Sequence, residues 1–347
     1  TKFNDWQDLT FGTGHQQSYQ LSVSGGNDKN KYFVSGGYLS EEGMVAPAHF
    51  DRYSVRVNLD NQVRPWLKIG TSVSVLTINT QDTPDNASSG RGGVIMSALN
   101  TPPFLSIYKN DGSGWFDPNP FQPSWENPIA YMDGPDQKSR DSKLFGNVYA
   151  DIKLMEGLNF KSRAGIDNTT HQYDYYLDPF RTVYGRNNHG IGRSDKSNTS
   201  IWLLENTLDY AARFGNHNIT ALAGSSIQKY DGNGTYIEGT DFPDDVTIKT
   251  IWAANQLVTG GTWQSEWALA SFFGRATYDY NNKYYLTTSI RRDGSSKLYN
   301  HWGTMPSFSA GWRISSEKFM QGIKFIDDLK LRGGWGQNGN QEGIADY

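Results

Sequence analysis

Hydrophobic and polar positions alternate along much of this chain. A β-strand turns successive side chains to opposite faces, so strict alternation marks a sheet with one apolar and one wet side. Between Asp51 and Asn61, residues Tyr53, Val55, Val57 and Leu59 share one face while Ser54, Arg56, Asn58 and Asp60 share the other. From Gly157 to Asn168, Leu158, Phe160, Ala164 and Ile166 oppose Asn159, Lys161, Arg163 and Asp167. Further on, Phe308, Ala310, Trp312 and Ile314 oppose Ser307, Ser309, Gly311 and Arg313. Asn216 to Ile227 is less regular, with Leu222 opposite Ile219, Ala221 and Ala223. Charge keeps off the apolar side in the three regular segments.

Such segments predict about a dozen strands of roughly 10 residues, the length of a tilted membrane-spanning strand rather than of a soluble one. They fall near 16–25, 31–41, 51–61, 66–78, 143–154, 157–170, 199–212, 216–229, 265–280, 283–293, 303–315 and 328–337. The connections sort by parity. Gly26 to Asn30, Gln62 to Pro65, Met155-Glu156, Arg213 to Gly215 and Asn281-Asn282 are short and rich in turn formers, with Ser316 to Asp327 a longer exception on the same side. The intervening connections include Asn79 to Ser142, His171 to Asn198 and Tyr230 to Gln264, too long for ordinary loops in a compact domain. Tight turns at one rim and long loops at the other predict an all-β fold, an antiparallel transmembrane β-barrel with periplasmic turns and extracellular loops. Tyr32, Trp66, Tyr210, Phe214, Tyr278, Tyr280, Tyr284 and Trp312 fall near the short-turn ends, where an interfacial aromatic girdle belongs. On this reading Val55, Val57, Phe160, Ile166, Phe308 and Ile314 face lipid, and the whole of 1–347 is part of one barrel domain.

Composition narrows the function classes. A net charge of −4 gives no broad basic field for nucleic acid. The absence of cysteine removes disulfides and Cys-based zinc sites. No stretch approaches the roughly 18 uninterrupted apolar residues of a membrane helix. The six histidines lack the HxxH and HExxH spacings of a helix-borne zinc site. Asp244-Asp245 and Asp327-Asp328 read as solvated loop charge, since neighbouring acids need not converge. Gly12-Thr13-Gly14 and Gly334-Trp335-Gly336 lack the spacing and strand-to-helix context of a dinucleotide loop. No enzyme, metal site or cofactor is expected.

Several blocks resemble the SusC/RagA family of TonB-dependent outer-membrane transporters. They are Leu21-Ser22-Val23-Ser24-Gly25-Gly26, Lys31-Tyr32-Phe33-Val34-Ser35-Gly36-Gly37-Tyr38, Glu42-Gly43, Asp51-Arg52-Tyr53-Ser54, Trp66-Leu67-Lys68-Ile69-Gly70, Arg292-Asp293-Gly294-Ser295-Ser296 and Pro306-Ser307-Phe308-Ser309-Ala310-Gly311-Trp312. Each block is short; their order along the chain carries the resemblance, from about Asn4 to Asn340. It implies a plugged barrel of about 22 strands, driven through TonB and paired with a SusD-like surface lipoprotein. No TonB box or plug is recognisable in the sequence, and Asn338 to Tyr347 does not alternate like a closing strand. The chain therefore reads as a stretch of a longer barrel protein.

The expected function is active import of a large nutrient, a glycan or a peptide, across the outer membrane. The alternative is a soluble or surface all-β carbohydrate-binding or adhesin protein, which would stay in solution without detergent. Trp115, Trp125, Trp252, Trp263 and Trp302 fall in or near the long loops, where indoles stack on a sugar, meet a partner or pack within their own loop. Arg56, Lys161, Arg163, Arg275 and Arg291 fall on polar faces that would line a lumen, where they meet plug or substrate or remain solvated.

Overall fold

The computed structural model describes residues 3–83, 93–112, 116–117, 120, 127–243, 247–323 and 325–345. Twelve strands run through it: β1 (Gln16–Gly26), β2 (Asn30–Glu42), β3 (His49–Arg64), β4 (Leu67–Gln81), β5 (Pro135–Met155), β6 (Leu158–Leu177), β7 (Ile191–Phe214), β8 (His217–Thr240), β9 (Gln256–Tyr280), β10 (Tyr284–Ser295), β11 (Trp302–Arg313) and β12 (Lys330–Gly336). They form a single sheet in chain order, each strand antiparallel to the next. All twelve expected strands are present. The sheet is open: β1 and β12 each have one hydrogen-bonded neighbour.

Directly opposed residues of an antiparallel pair share a face, so the register carries each face across the sheet. Gln62, Lys68, Asp151, Lys161, Thr207, Gly224, Phe273 and Arg291 form one row of the polar face. Val34, Val57, Val73, Gly146, Ile166 and Trp202 form a row of the other. The predicted alternation thus continues from strand to strand. Val55, Val57, Phe160, Ile166 and Phe308 all lie on the apolar face. Ile314 does not, because β11 ends at Arg313 and Ile314 opens a 3₁₀ turn, Ile314–Ser316.

Strand length departs from expectation. β5 to β9 hold 21, 20, 24, 24 and 25 residues, about twice the span a tilted strand needs to cross hydrocarbon. The long connections contract accordingly: the residues expected as loops at 79–81, 135–142, 171–177, 191–198, 230–240 and 256–264 are strand, leaving 82–134, 178–190 and 241–255 as connections. The cause lies in the outer pattern. On β6 the apolar positions Leu158, Phe160, Ala164 and Ile166 give way to Asn168, Thr170, Gln172 and Asp174. On β8, Ile219, Ala221, Ala223 and Ile227 give way to Lys229, Asp231 and Asn233. With both faces polar the period-2 signal vanishes while the backbone ladder continues.

The short turns lie at the opposite rim. Gly157 (φ 78°), Gly215 (φ 59°), Asn281 (φ 53°) and Asn282 (φ 54°) adopt the left-handed backbone of tight hairpins, which Gly and Asn tolerate best. All the girdle aromatics that fall in strands, among them Tyr32, Tyr210, Tyr280, Tyr284 and Trp312, lie on the apolar face near this rim.

Small apolar clusters lie at the long-loop rim. Helices α1 (Trp6–Thr10), α2 (Val94–Asn100) and α3 (Pro128–Asp133) pack together there. Trp6, Val94, Ala98, Ala130 and Tyr131 are buried, and the Trp6 indole N–H donates to the Pro102 carbonyl at 3.0 Å. A fourth helix, α4 (Val183–Asn188), is capped by the Thr182 hydroxyl, which accepts from the Gly185 N–H at 2.9 Å. Phe242, fully buried, meets Tyr176 edge-on at 5.2 Å and joins the 178–190 and 241–255 connections to the tops of β6 and β7.

Candidate functional site

Register puts Arg56, Lys161, Arg163, Arg275 and Arg291 on one face, the polar one, as their alternation predicts. They do not converge on a single point. Arg291 donates through Nε to Asp293 at 2.7 Å and through a terminal amino group to Ser271 at 2.8 Å. The Lys161 ammonium lies 4.6 Å from the centroid of Tyr149, whose hydroxyl donates to Asp60, itself 3.1 Å from the Lys68 ammonium. Arg275 lines a hollow with Asn159, Asp209, Thr220, Leu222 and Thr277. Arg163 is half-buried, and its Nε has no hydrogen-bond partner among the described residues.

The tryptophans separate. Trp115 and Trp125 lie outside the described residues, as do Asp244 and Asp245. Trp252, 88% exposed, sits in a 3₁₀ turn, Ile251–Ala253, within the 241–255 connection. Trp302 is the first residue of β11 and lies on the apolar face, stacked 6.1 Å from Phe272 with the Arg292 guanidinium 5.2 Å over its ring. Trp263, expected in a loop, is instead in β9 and on the polar face, because β9 starts at Gln256.

Around Trp263 the structure groups residues that the sequence reading passed over. Tyr236 and Tyr230 on β8 and Trp267 on β9 share its face. Trp263 is paired with Gly234, and its indole nitrogen occupies the space a Cβ there would need. Tyr236 is paired with Gly261 and lies 3.0 Å from where that residue's Cβ would stand. Tyr230 leans over Gly232 and stacks on Trp267 with centroids 5.6 Å apart and planes 8° from parallel. The rings fill the space that these glycines leave open. The signal was legible as aromatics and glycines at two-residue spacing, Tyr230-Gly232-Gly234-Tyr236 against Gly261-Trp263.

Outside the spanning segments, His189 and Asp241 join two connections with Nδ1 to Oδ1 at 2.6 Å. The hydrogen bond from His189, followed by one from Asn255, holds the Asp241 carboxyl below the usual aspartate range.

No protein-family model matches the chain. It is 30% identical to TonB-dependent receptor P3 of Formosa agariphila over 97% of its own length, and 28% identical to TonB-dependent receptor SusC of Bacteroides thetaiotaomicron over 98%. It spans about a third of these curated relatives, 34% and 35%. Among solved structures it superposes on the RagAB peptide transporter with a TM-score of 0.79 at 24% identity, covering 96% of this chain and 38% of that one. These relatives are receptors and transporters, in line with the expectation of no enzyme. An apolar face continuous across the strands suits hydrocarbon and would aggregate in water, which sets the soluble alternative aside. The chain is thus a stretch of outer-membrane β-barrel from the SusC/RagA family of TonB-dependent receptors, its apolar face toward lipid and its polar face toward the lumen.

Proposed function

We propose that this stretch forms part of the wall of a TonB-dependent importer that moves a large nutrient, a glycan or a peptide, across the outer membrane with a SusD-like surface lipoprotein. The observation that supports it most is the segregation of the two faces across the sheet, together with wall strands that rise well beyond the hydrocarbon. A wall of that height encloses a deep vestibule, which suits a bulky cargo. The partner and the nutrient rest on likeness: the SusC relative is named a TonB-dependent receptor and RagAB a peptide transporter. The remaining strands, a plug and the TonB-contacting segment would come from other parts of the parent protein, and lumenal groups such as Arg163 would meet that plug or the cargo.

Deletion of the parent gene tests the reading. Growth and uptake on a panel of oligosaccharides and peptides should fail for one class of nutrient and return with the intact gene. A deletion strain with unchanged uptake of every nutrient would remove import as the function. Copurification of a surface lipoprotein with the full-length protein tests the partner.

A further inference from the structure

On the lumenal side of β8 and β9, above the level where the outer face turns polar, a strip of aromatic rings leans over strand glycines. Trp263 and Tyr236 occupy the space beside Gly234 and Gly261 that a side chain there would need, while 43% and 41% of these two residues stays exposed. Tyr230 and Trp267 continue the strip toward the membrane. Polar groups flank it in register: Ser197 opposite Gly234, Asp195 opposite Tyr236, and Arg193 opposite Glu238. Arg193 grips Asp195 through Nε at 2.9 and 3.1 Å, so the pair offers N–H donors and carboxylate lone pairs side by side.

We propose that this strip is a binding platform for a glycan chain at the mouth of the lumen, with Trp263 and Tyr236 as stacking floors and Arg193, Asp195 and Glu238 as hydroxyl contacts. The proposal rests on the import reading and chooses between its two cargo classes. A pyranose ring presents a flat patch of C–H bonds to an aromatic face and a rim of hydroxyls that both donate and accept. Exposed aromatic rings beside a mixed donor and acceptor set match that chemistry. Strand addition, one common way to hold an extended peptide, needs main-chain hydrogen bonds to a free sheet edge. None is available here, since β7, β8 and β9 are each paired on both sides. The glycines have a further consequence: a Cβ at 234 would displace the Trp263 indole, and one at 261 would crowd Tyr236.

The test uses the full-length protein in detergent, titrated calorimetrically with malto-, laminari-, xylo- and mannooligosaccharides of about seven units and with mixed peptides of similar length. At least one glycan should bind, and Trp263→Ala or Tyr236→Ala should each weaken it by about tenfold. Trp263→Phe should retain most of the affinity, and Trp302→Ala, on the lipid side, should leave it unchanged. Barrel integrity is checked by the compact band in unheated gels. Glycan binding indifferent to both alanine variants would overturn the location. Binding of peptides but no glycan would overturn the ligand class while leaving import intact, whereas unchanged uptake in the deletion strain would sink import itself.

Discussion

Val57 and Ser54 show how much one residue's parity decides. Three positions apart on β3, they lie on opposite faces, and register carries Val57 into a row of lipid-facing neighbours while Ser54 faces the lumen beside Gly37. Arginine near the hydrocarbon midplane costs roughly 2 to 4 kcal/mol on a barrel's lipid face. Val57→Arg should therefore lower the unfolding free energy of the full-length barrel by about that much, and Ser54→Arg by much less; urea unfolding in detergent measures both. Equal losses would contradict the faces. Phe242 makes a second case. It is fully buried under Gly190 and Gly192 and beside Tyr176, and truncating a buried phenylalanine typically removes about 3 to 5 kcal/mol. Phe242→Ala should free the 178–190 and 241–255 connections locally, read as faster proteolysis there with the barrel intact. Facing was legible in the sequence because alternation encodes it directly. That Phe242 would be a keystone was not, since a lone aromatic in a long connection carries no periodic signal.

The elements explain which parts of the fold the sequence hid. Strand number, antiparallel order and the positions of the tight turns were readable, because each strand crosses lipid once and lipid enforces an apolar stripe. The upper halves of β5 to β9 were not, since water bathes both faces there and only backbone pairing defines the strand. The same blind spot moved Trp263 from an expected loop into β9 and hid Tyr230, Tyr236 and Trp267 as neighbours. It also decides where topology can be probed. A cysteine at Gly112 is a surface probe, but Gly234 lies beside the Trp263 indole in β8 and should resist labelling on intact cells. Thr247, within the 241–255 connection, is the better second site. Labelling at 112 and 247 with none at Asn282 places the long connections outside; the reverse pattern would invert the barrel. Those connections also carry a pH dependence. Asp241, hydrogen-bonded by His189, titrates below its unfolded value, so its contribution is present above the ordinary aspartate range and disappears as pH falls through the lower, folded value. Hydrogen exchange at the Phe242 amide, which donates to His189 O at 2.7 Å, should accelerate below about pH 4 relative to intrinsic rates. Asp241→Asn should abolish that acid step, and an unaltered step would assign it to another group.

An open sheet of twelve strands in hydrocarbon has two edges, and the bilayer supplies nothing to pair them. β1 presents Tyr19, Leu21 and Val23 on its lipid face, 63%, 75% and 56% exposed, beside a row of backbone groups with no partner strand. Each unsatisfied backbone group in hydrocarbon costs several kcal/mol, so a free edge of even half a strand outweighs the roughly 5 to 15 kcal/mol by which a folded protein is usually stable. Barrels of the transporter class close with about 22 strands, nearly twice the number in this sheet. Residues 1–347 expressed alone should therefore fail to insert. In an assay of refolding into lipid vesicles they should remain protease-sensitive and show no compact band in unheated gels, while the full-length parent gives both protections. Closing the sheet on itself is the competing outcome, and it would require β1 and β12 to pair. A disulfide trap decides between the two: with cysteines at Leu21 and Gly333 as the only thiols, oxidation of the full-length protein should give no intrachain crosslink. Efficient crosslinking there, or a protease-resistant product from 1–347 alone, would mean that these twelve strands make a complete small barrel.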